Sequence, residues 1–441
     1  MALYCIHQCV SQPPHWQGSM NREQSAGEPA FICPSCSLIM QAAAPSPHHG
    51  LKCPRCAKNI FKYRRNSLEK TLAYSCTGLL LFLPAVSLPL LTLSVLGLES
   101  SSSLAGTVST LFHEHDYLVG SVVLYTAIFA PLCILAILFL VCLGIIRQWP
   151  RKPLAALFRL YHHLYLYEWA MTDVFLIGIF ITTIKMKHSS TITFDIGFFC
   201  FTGLVLMILA AQSTASAHVF WELLAPSSSA PASYRVTDNQ LPAPPILCYC
   251  CHKVIPSVSS PLPKTCTRCG SVLYRRKKNS ISRTWAFLLT AVIFSFPANM
   301  LPIMEVESFG IPAQSTILDG ILYFFREGSY GIGLIIFTAS ILVPLFKISG
   351  LSILLLSIQL NWKSWLRHKT IMMRCIQFIG RWSMLDIFVI TLLSALVRFN
   401  YLSSIQAAPA ALYFTGVVIC TMLAATTFDI RLIWDSTERL S

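Results

Sequence analysis

Cys53-Pro-Arg-Cys56 returns 213 positions later as Cys266-Thr-Arg-Cys269. The same offset carries Asn66-Ser67 onto Asn279-Ser280, and Trp169-Ala-Met-Thr-Asp173-Val-Phe175 onto Trp382-Ser-Met-Leu-Asp386-Ile-Phe388. Pro84 and Pro89 fall on Pro297 and Pro302, Pro131 on Pro344, Glu114 on Glu327, Gly203 on Gly416 and Trp221 on Trp434. An ungapped match over 53–222 that preserves prolines, glycines and tryptophans marks a duplication. Each copy is a cysteine-rich module followed by apolar spans. Only the start of the module shifts, where Cys33 pairs with Cys248 at an offset of 215.

Composition places both copies in a membrane. Hydrophobic residues make up 54% of the chain, charged residues 12%, and mean hydropathy is +0.61. Charged residues are about half the share expected of a soluble domain. Apolar stretches near 70–96, 119–146, 169–187 and 192–220, then 283–304, 331–358, 382–400 and 407–430, can each cross a hydrocarbon core of roughly 30 Å. The expected fold is an all-α integral membrane protein: two tandem four-helix units, each behind a small zinc-ribbon or rubredoxin-like module. The expected order is a disordered leader at 1–30, ribbon 31–66, membrane unit 67–222, Ser/Pro/Ala-rich linker 223–245, ribbon 246–280 and membrane unit 281–436. Residues 1–30 lack a signal peptide's apolar core and cleavage site, and Cys5, His7, Cys9 and His15 there read as a solvated tail.

The formal charge of +14 suggests nucleic acid until it is placed on this topology. Of the 33 Lys+Arg, 28 fall on the side that holds the termini. They include Lys62 to Arg65, Arg147 to Arg159, Arg275 to Lys278 and Lys363 to Arg381. Lys185, Lys187, Arg326 and Arg398 fall towards the other side, which also carries Glu99, Glu114, Asp116, Glu305, Glu307, Asp319 and Glu327. This is the positive-inside pattern, so termini and ribbons face the cytosol. The basic clusters then meet anionic lipid headgroups and not nucleic acid.

The cysteines carry the most specific chemistry. Cys33-x2-Cys36-x16-Cys53-x2-Cys56 and Cys248-x2-Cys251-x14-Cys266-x2-Cys269 each pair two knuckles, aiming four thiolates at one ion. Zinc is the default occupant and iron in a rubredoxin-like site the alternative. Cys250, beside Cys251, could substitute for it. Four thiolates leave no open coordination position, so the metal's expected role is folding and docking. No nucleotide-binding loop, nucleophile elbow or metalloprotease helix occurs, and no catalytic residue is expected.

Charged residues at membrane depth are costly and therefore informative. Asp386 lies about one turn into the seventh span and matches Asp173, whereas Lys347 in the sixth span falls on the apolar Ile134. Lys347 and Asp386, with Thr391, Ser394, Thr338 and Ser340, are expected to line a polar cavity in the second unit. The bland alternative is helix-to-helix bonding. Asp173, Glu327, Pro297, Pro302 and Pro344 are expected in supporting roles, the prolines by bending or breaking their helices.

Taken together, Arg381-Trp-Ser-Met-Leu-Asp386-Ile-Phe388, Phe428-Asp429-Ile-Arg431-Leu-Ile-Trp434-Asp435, Pro344-x2-Lys347 and the doubled ribbons resemble the paraquat-inducible protein A (PqiA/LetA) family of bacterial inner-membrane proteins. The resemblance covers roughly 30–436, departing only at an insert over 42–50 and the extra leader. It implies an inner-membrane component of a lipid-transport system that hands phospholipid to or from a periplasmic MCE-domain tunnel protein. The competing readings are a membrane redox or metal-sensing protein with four-cysteine iron sites, and a small-solute transporter acting alone.

Overall fold

The structure, a computed structural model, describes residues 30–41, 51–61, 66–95, 98–186, 191–224, 245–255, 264–308, 311–328, 330–397 and 403–438. The expected leader, the insert at 42–50, the basic run 62–65 and most of the linker lie outside them. Among the described residues eight helices are long and apolar enough to cross a membrane. They are Ser67–Ser87, Tyr117–Ile146, Leu166–Ile184, Ile196–Thr214, Ser280–Met300, Gly333–Gln359, Leu366–Leu396 and Pro409–Thr427.

The first and fourth spans of each unit are clasped together at their ribbon ends. Asn66 and Asn279 sit in the left-handed region (φ 54° and 51°), which asparagine tolerates better than most residues. They turn the chain so that Ser67 Oγ donates to the Thr214 carbonyl at 2.6 Å and Ser280 Oγ to the Thr427 carbonyl at 2.9 Å. Further along, Gly416 leaves room for the Phe294 ring, which would lie 2.6 Å from an added Cβ. Gly203 does the same for Leu81. Small residues at such crossings let helices approach without hydrophobic drive between them.

Four expected spans are shorter as helices than their apolar runs. The runs 70–96 and 283–304 helix only to Ser87 and Met300, then turn into strands Pro89–Val95 and Met304–Ser308. Residues 192–220 and 407–430 begin their helices at Ile196 and Pro409, each after a strand, Thr191–Phe194 and Ser403–Ala407. Each unit thus carries a three-stranded antiparallel sheet at the end opposite the ribbons. In the first, Pro89–Val95 is central between Leu98–Ser103 and Thr191–Phe194; in the second, Met304–Ser308 is central between Ile311–Ser315 and Ser403–Ala407. A register shift between Pro89 and Leu91 lets consecutive Leu90 and Leu91 both bury beneath the sheet, where strict alternation would expose one. Hydropathy cannot separate such an apolar strand from the helix that precedes it. Helices Leu104–His113 and Ile317–Arg326 follow, started by Ser103 accepting from the Gly106 N–H and by a Thr316/Asp319 capping box.

The prolines differ in their effects. Pro84 and Pro297 sit inside helices that run on to Ser87 and Met300, because so near the C-terminal end one lost hydrogen bond is tolerated. Pro89 and Pro302 lie beyond the helix ends. Pro131 and Pro344 follow one wide π-helical turn each, Leu124–Phe129 and Thr338–Leu342, which matches across the repeat and absorbs the missing donor. The units meet where the third and seventh spans cross. Phe175 and Phe388, repeat mates, stack edge to face there at 5.2 Å.

Candidate metal centres and the membrane cavity

All four cysteine knuckles fold alike. The first cysteine's N–H bonds five residues on: Cys33 to the Leu38 carbonyl, Cys53 to Lys58, Cys248 to Lys253 and Cys266 to Ser271, at 2.8–3.0 Å. The residue after each second cysteine has positive φ: Ser37, Ala57, His252 and Gly270. Only the last is glycine, and there an added Cβ would stand 3.0 Å from Arg159 Nη1.

This geometry gathers Cys33, Cys36, Cys53 and Cys56, and separately Cys248, Cys251, Cys266 and Cys269, into buried sets whose sulfurs lie within 4.8 Å of one another. Cys33–Cys56 and Cys36–Cys53 are 3.5 Å apart, and Cys248–Cys269 and Cys251–Cys266 are 3.6 Å apart. A tetrahedron with metal–sulfur bonds near 2.3 Å has edges of about 3.8 Å, so the donor set fits a tetrahedral ion. In each set neighbouring S–H groups hold one thiol down, Cys33 chiefly through Cys36 (to about 4) and Cys248 chiefly through Cys251, while Cys36 and Cys251, as the donors, are pushed up. Cys251 belongs to the set; the partly exposed Cys250 does not.

The ribbons are exchanged between the units. The first ribbon's cysteines share a core with Leu351, Leu354, Met373, Phe428 and Trp434 of the second unit. The second ribbon's cysteines pack with Leu154, Phe158, Phe220 and Trp221 of the first. Arg374 donates to the Cys56 carbonyl (3.0 Å) and Sγ (3.3 Å), and Arg159 to the Cys269 carbonyl (3.2 Å). The repeat mates Arg55 and Arg268 meet the repeat mates Trp434 and Trp221: Arg55 lies over the Trp434 ring at 4.2 Å, and Arg268 Nε donates to the Trp221 carbonyl at 3.2 Å. Each four-cysteine module therefore fastens its own copy of the duplication to the other.

The six polar membrane residues do not share one site. Lys347 is 1% exposed, and its ammonium donates to Ser383 Oγ at 3.2 Å, not to Asp386. Asp386 and Ser340 line a small cleft, about 60 Å³, between the units, with Ile181 of the first unit and Ile303, Ile335 and Val389 of the second. That volume holds a few water molecules. Ser394 Oγ crosses to Glu114 Oε2 at 2.9 Å. Thr338, Ser340 and Thr391 hydroxyls bond carbonyls of their own helices. Asp173 meets Arg381 of the other unit at 3.9 Å; Arg381 matches Glu168, so no symmetric copy of this pair exists. Glu327 ends helix Ile317–Arg326 in the open.

Ser383 is the residue that reading the spans one by one misses. Its repeat mate is Ala170, as Ile134 is the mate of Lys347. Both of those are buried apolar residues of the first unit, so the second unit replaces an apolar contact with an ammonium–hydroxyl pair. Scanning the repeat for apolar-to-polar changes would have found both. The pair sits at a break in the seventh span, where a 3₁₀ turn, Arg381–Met384, joins helices Leu366–Gly380 and Leu385–Leu396.

Fold and sites define a duplicated multi-pass membrane protein whose halves are cross-fastened by four-thiolate modules. The sequence profile of Paraquat-inducible protein A matches residues 68–225 and 281–438, and the chain belongs to that family. It is 32% identical over 407 residues to the Lipophilic envelope-spanning tunnel protein A of Escherichia coli (strain K12), covering 92% of this chain and 91% of that protein. It is 31% identical over 409 residues to the Intermembrane transport protein PqiA of the same strain, covering 92% and 95%. A Probable intermembrane transport protein of Haemophilus influenzae is 29% identical over 395 residues, covering 88% and 91%. No solved structure matches the chain.

Proposed function

We propose that this protein transports lipid between the inner and outer membranes of a bacterial envelope. It works as the inner-membrane member of a system with a periplasmic MCE-domain tunnel protein, and as a transporter, not an enzyme. The carrying observation is the match along 92% of the chain to two proteins whose names state envelope-spanning and intermembrane transport. In this reading the ribbons and termini face the cytosol and each ribbon holds zinc. The cleft containing Asp386 lies on the seam between units, so sliding one unit against the other would change its size. Rigid halves rocking around a site between repeats is a common transport geometry. The polar residues assigned to transport are Lys347, Ser383, Asp386 and Ser340, with Ser394 tying the halves together through Glu114.

Two experiments bear on this. Affinity-tagged protein expressed with its periplasmic MCE-domain partner should retain that partner and bound phospholipid, and together they should move labelled phospholipid between two vesicle populations. Transfer that proceeds equally without this chain defeats the proposal. For topology, Ser101→Cys on the exposed edge of the first sheet should react with a membrane-impermeant maleimide in spheroplasts, above the background of the unaltered chain. Reaction only after the inner membrane is breached would reverse the orientation.

A further inference from the structure

A second cavity, about 490 Å³, lies on the ribbon side where the first ribbon, Tyr249 of the second ribbon and the second membrane unit converge. That is within the size range of small-molecule sites. Its wall carries three cations: Lys58 from the first ribbon, Lys277 from just before the fifth span, and Arg374 from helix Leu366–Gly380. One carboxylate, Asp429, lines it with them.

That carboxylate is already fully engaged. Asp429 is 2% exposed and accepts from the Tyr249 hydroxyl and from the backbone N–H groups of Lys277 and Arg431, at 3.1 Å each. Arg431 adds a further cation against the wall: it donates to the Pro34 carbonyl at 3.2 Å and lies over the Tyr249 ring at 4.3 Å. Arg374 is held in place by Cys56 through both terminal nitrogens, while its Nε–H is buried without a hydrogen-bond partner. The Lys58 ammonium has no hydrogen-bond partner among the described residues, and Ser35, Asn59 and Gln377 supply further donors. The four-thiolate site beside Arg374 offsets part of this charge, and the donors left unused converge on a concave site that an anion would fill.

We infer that this cavity binds a phosphate group, carried either by a lipid headgroup or by a small soluble phosphate. Two ammonium groups and the planar guanidinium of Arg374 suit a tetrahedral anion with several acceptor oxygens. Lys277 stands three residues before the fifth span and Asp429 two after the eighth, so the cavity opens at the depth of headgroups. Because its walls come from the first ribbon and the second unit, a bound phosphate adds to the attachment between them. The inference does not rest on the transport reading.

The test uses full-length protein in phosphatidylcholine nanodiscs, with inorganic phosphate as the soluble probe and phosphatidic acid built into the disc as the lipid probe. Binding of either is followed by thermal stability and by native mass spectrometry. Lys58→Met removes an ammonium that holds nothing else, and metal content reports that the ribbon is intact. Lys277→Met is the second variant. Saturable stabilisation by inorganic phosphate, weakened about tenfold by Lys58→Met, identifies the soluble form. Retention of phosphatidic acid over phosphatidylcholine, lost in Lys58→Met, identifies the headgroup. The inference fails if neither probe binds, or if both variants bind as well as the parent protein with their metal in place.

Discussion

Cys266→Ser is expected to empty the second ribbon and to loosen the first membrane unit more than the second. Four-thiolate sites hold their folds by coordination itself, at apparent binding energies of about 10–16 kcal/mol for zinc-dependent peptides. Removing one of four ligands should take most of that from a module too small to fold on apolar burial alone. The exchange of ribbons decides where the damage spreads. The Cys266 knuckle is packed with Phe158, Phe220 and Trp221, and Arg159 and Arg268 bridge that interface. Hydrogen exchange should therefore rise in Arg151–His163 and Ala217–Leu224, while Leu366–Gly380 stays protected. Cys53→Ser should give the mirror result, exposing Leu366–Gly380 and Leu432–Glu438. Metal per chain should fall from two to one in each, and to none when Cys53, Cys56, Cys266 and Cys269 are changed together. Two metals per chain in that quadruple variant would show that the sulfurs are not the ligands. Equal loosening of both units by either single variant would refute the exchanged docking.

The exchange is invisible in the sequence for a definite reason. A constant offset says that two segments fold alike, and it is silent about which copy of one touches which copy of the other. Arg55 can stack on Trp434, or equally on its repeat mate Trp221, and the repeat is satisfied either way. What was legible is what local pattern dictates: the knuckles from Cys-x2-Cys, the spans from apolar length, the duplication from matched prolines and tryptophans. The paired sheets were not, because Leu90, Leu91 and Leu93 continue the apolar run of the first span without a polar break. A strand with one buried face and a bulge reads as helix until Pro89 and the serines of Leu98–Ser103 are weighed as edge signals. The two membrane-depth charges were legible individually. Their partners were not, since Lys347 reaches Ser383 from a neighbouring span, and a hydroxyl carries no charge for a sequence reading to pair.

That pair sets the second large effect: Lys347→Ala should abolish restoration of an outer-membrane lipid defect at unchanged protein level. Burying a lysine at the centre of a span costs about 2.5–3.5 kcal/mol on insertion scales, and one hydroxyl returns only part of that. A residue retained at such cost for packing alone should be improvable. Lys347→Met keeps the stem's volume and drops the charge, so the fold should be as stable as the parent or more so. If Lys347→Met also loses function, the charge itself is needed. Ser383→Ala should cost about 1–3 kcal/mol through an unpartnered ammonium and leave partial function, because the charge stays. Asp386→Ala should match Lys347→Ala in severity, for it supplies the carboxylate of the cleft between the units. Asp173→Ala should do less, since its contact with Arg381 is long and partly exposed. Full function in both Lys347→Met and Asp386→Ala would return these residues to helix packing. A more severe Asp173→Ala would instead place the working carboxylate in the first unit.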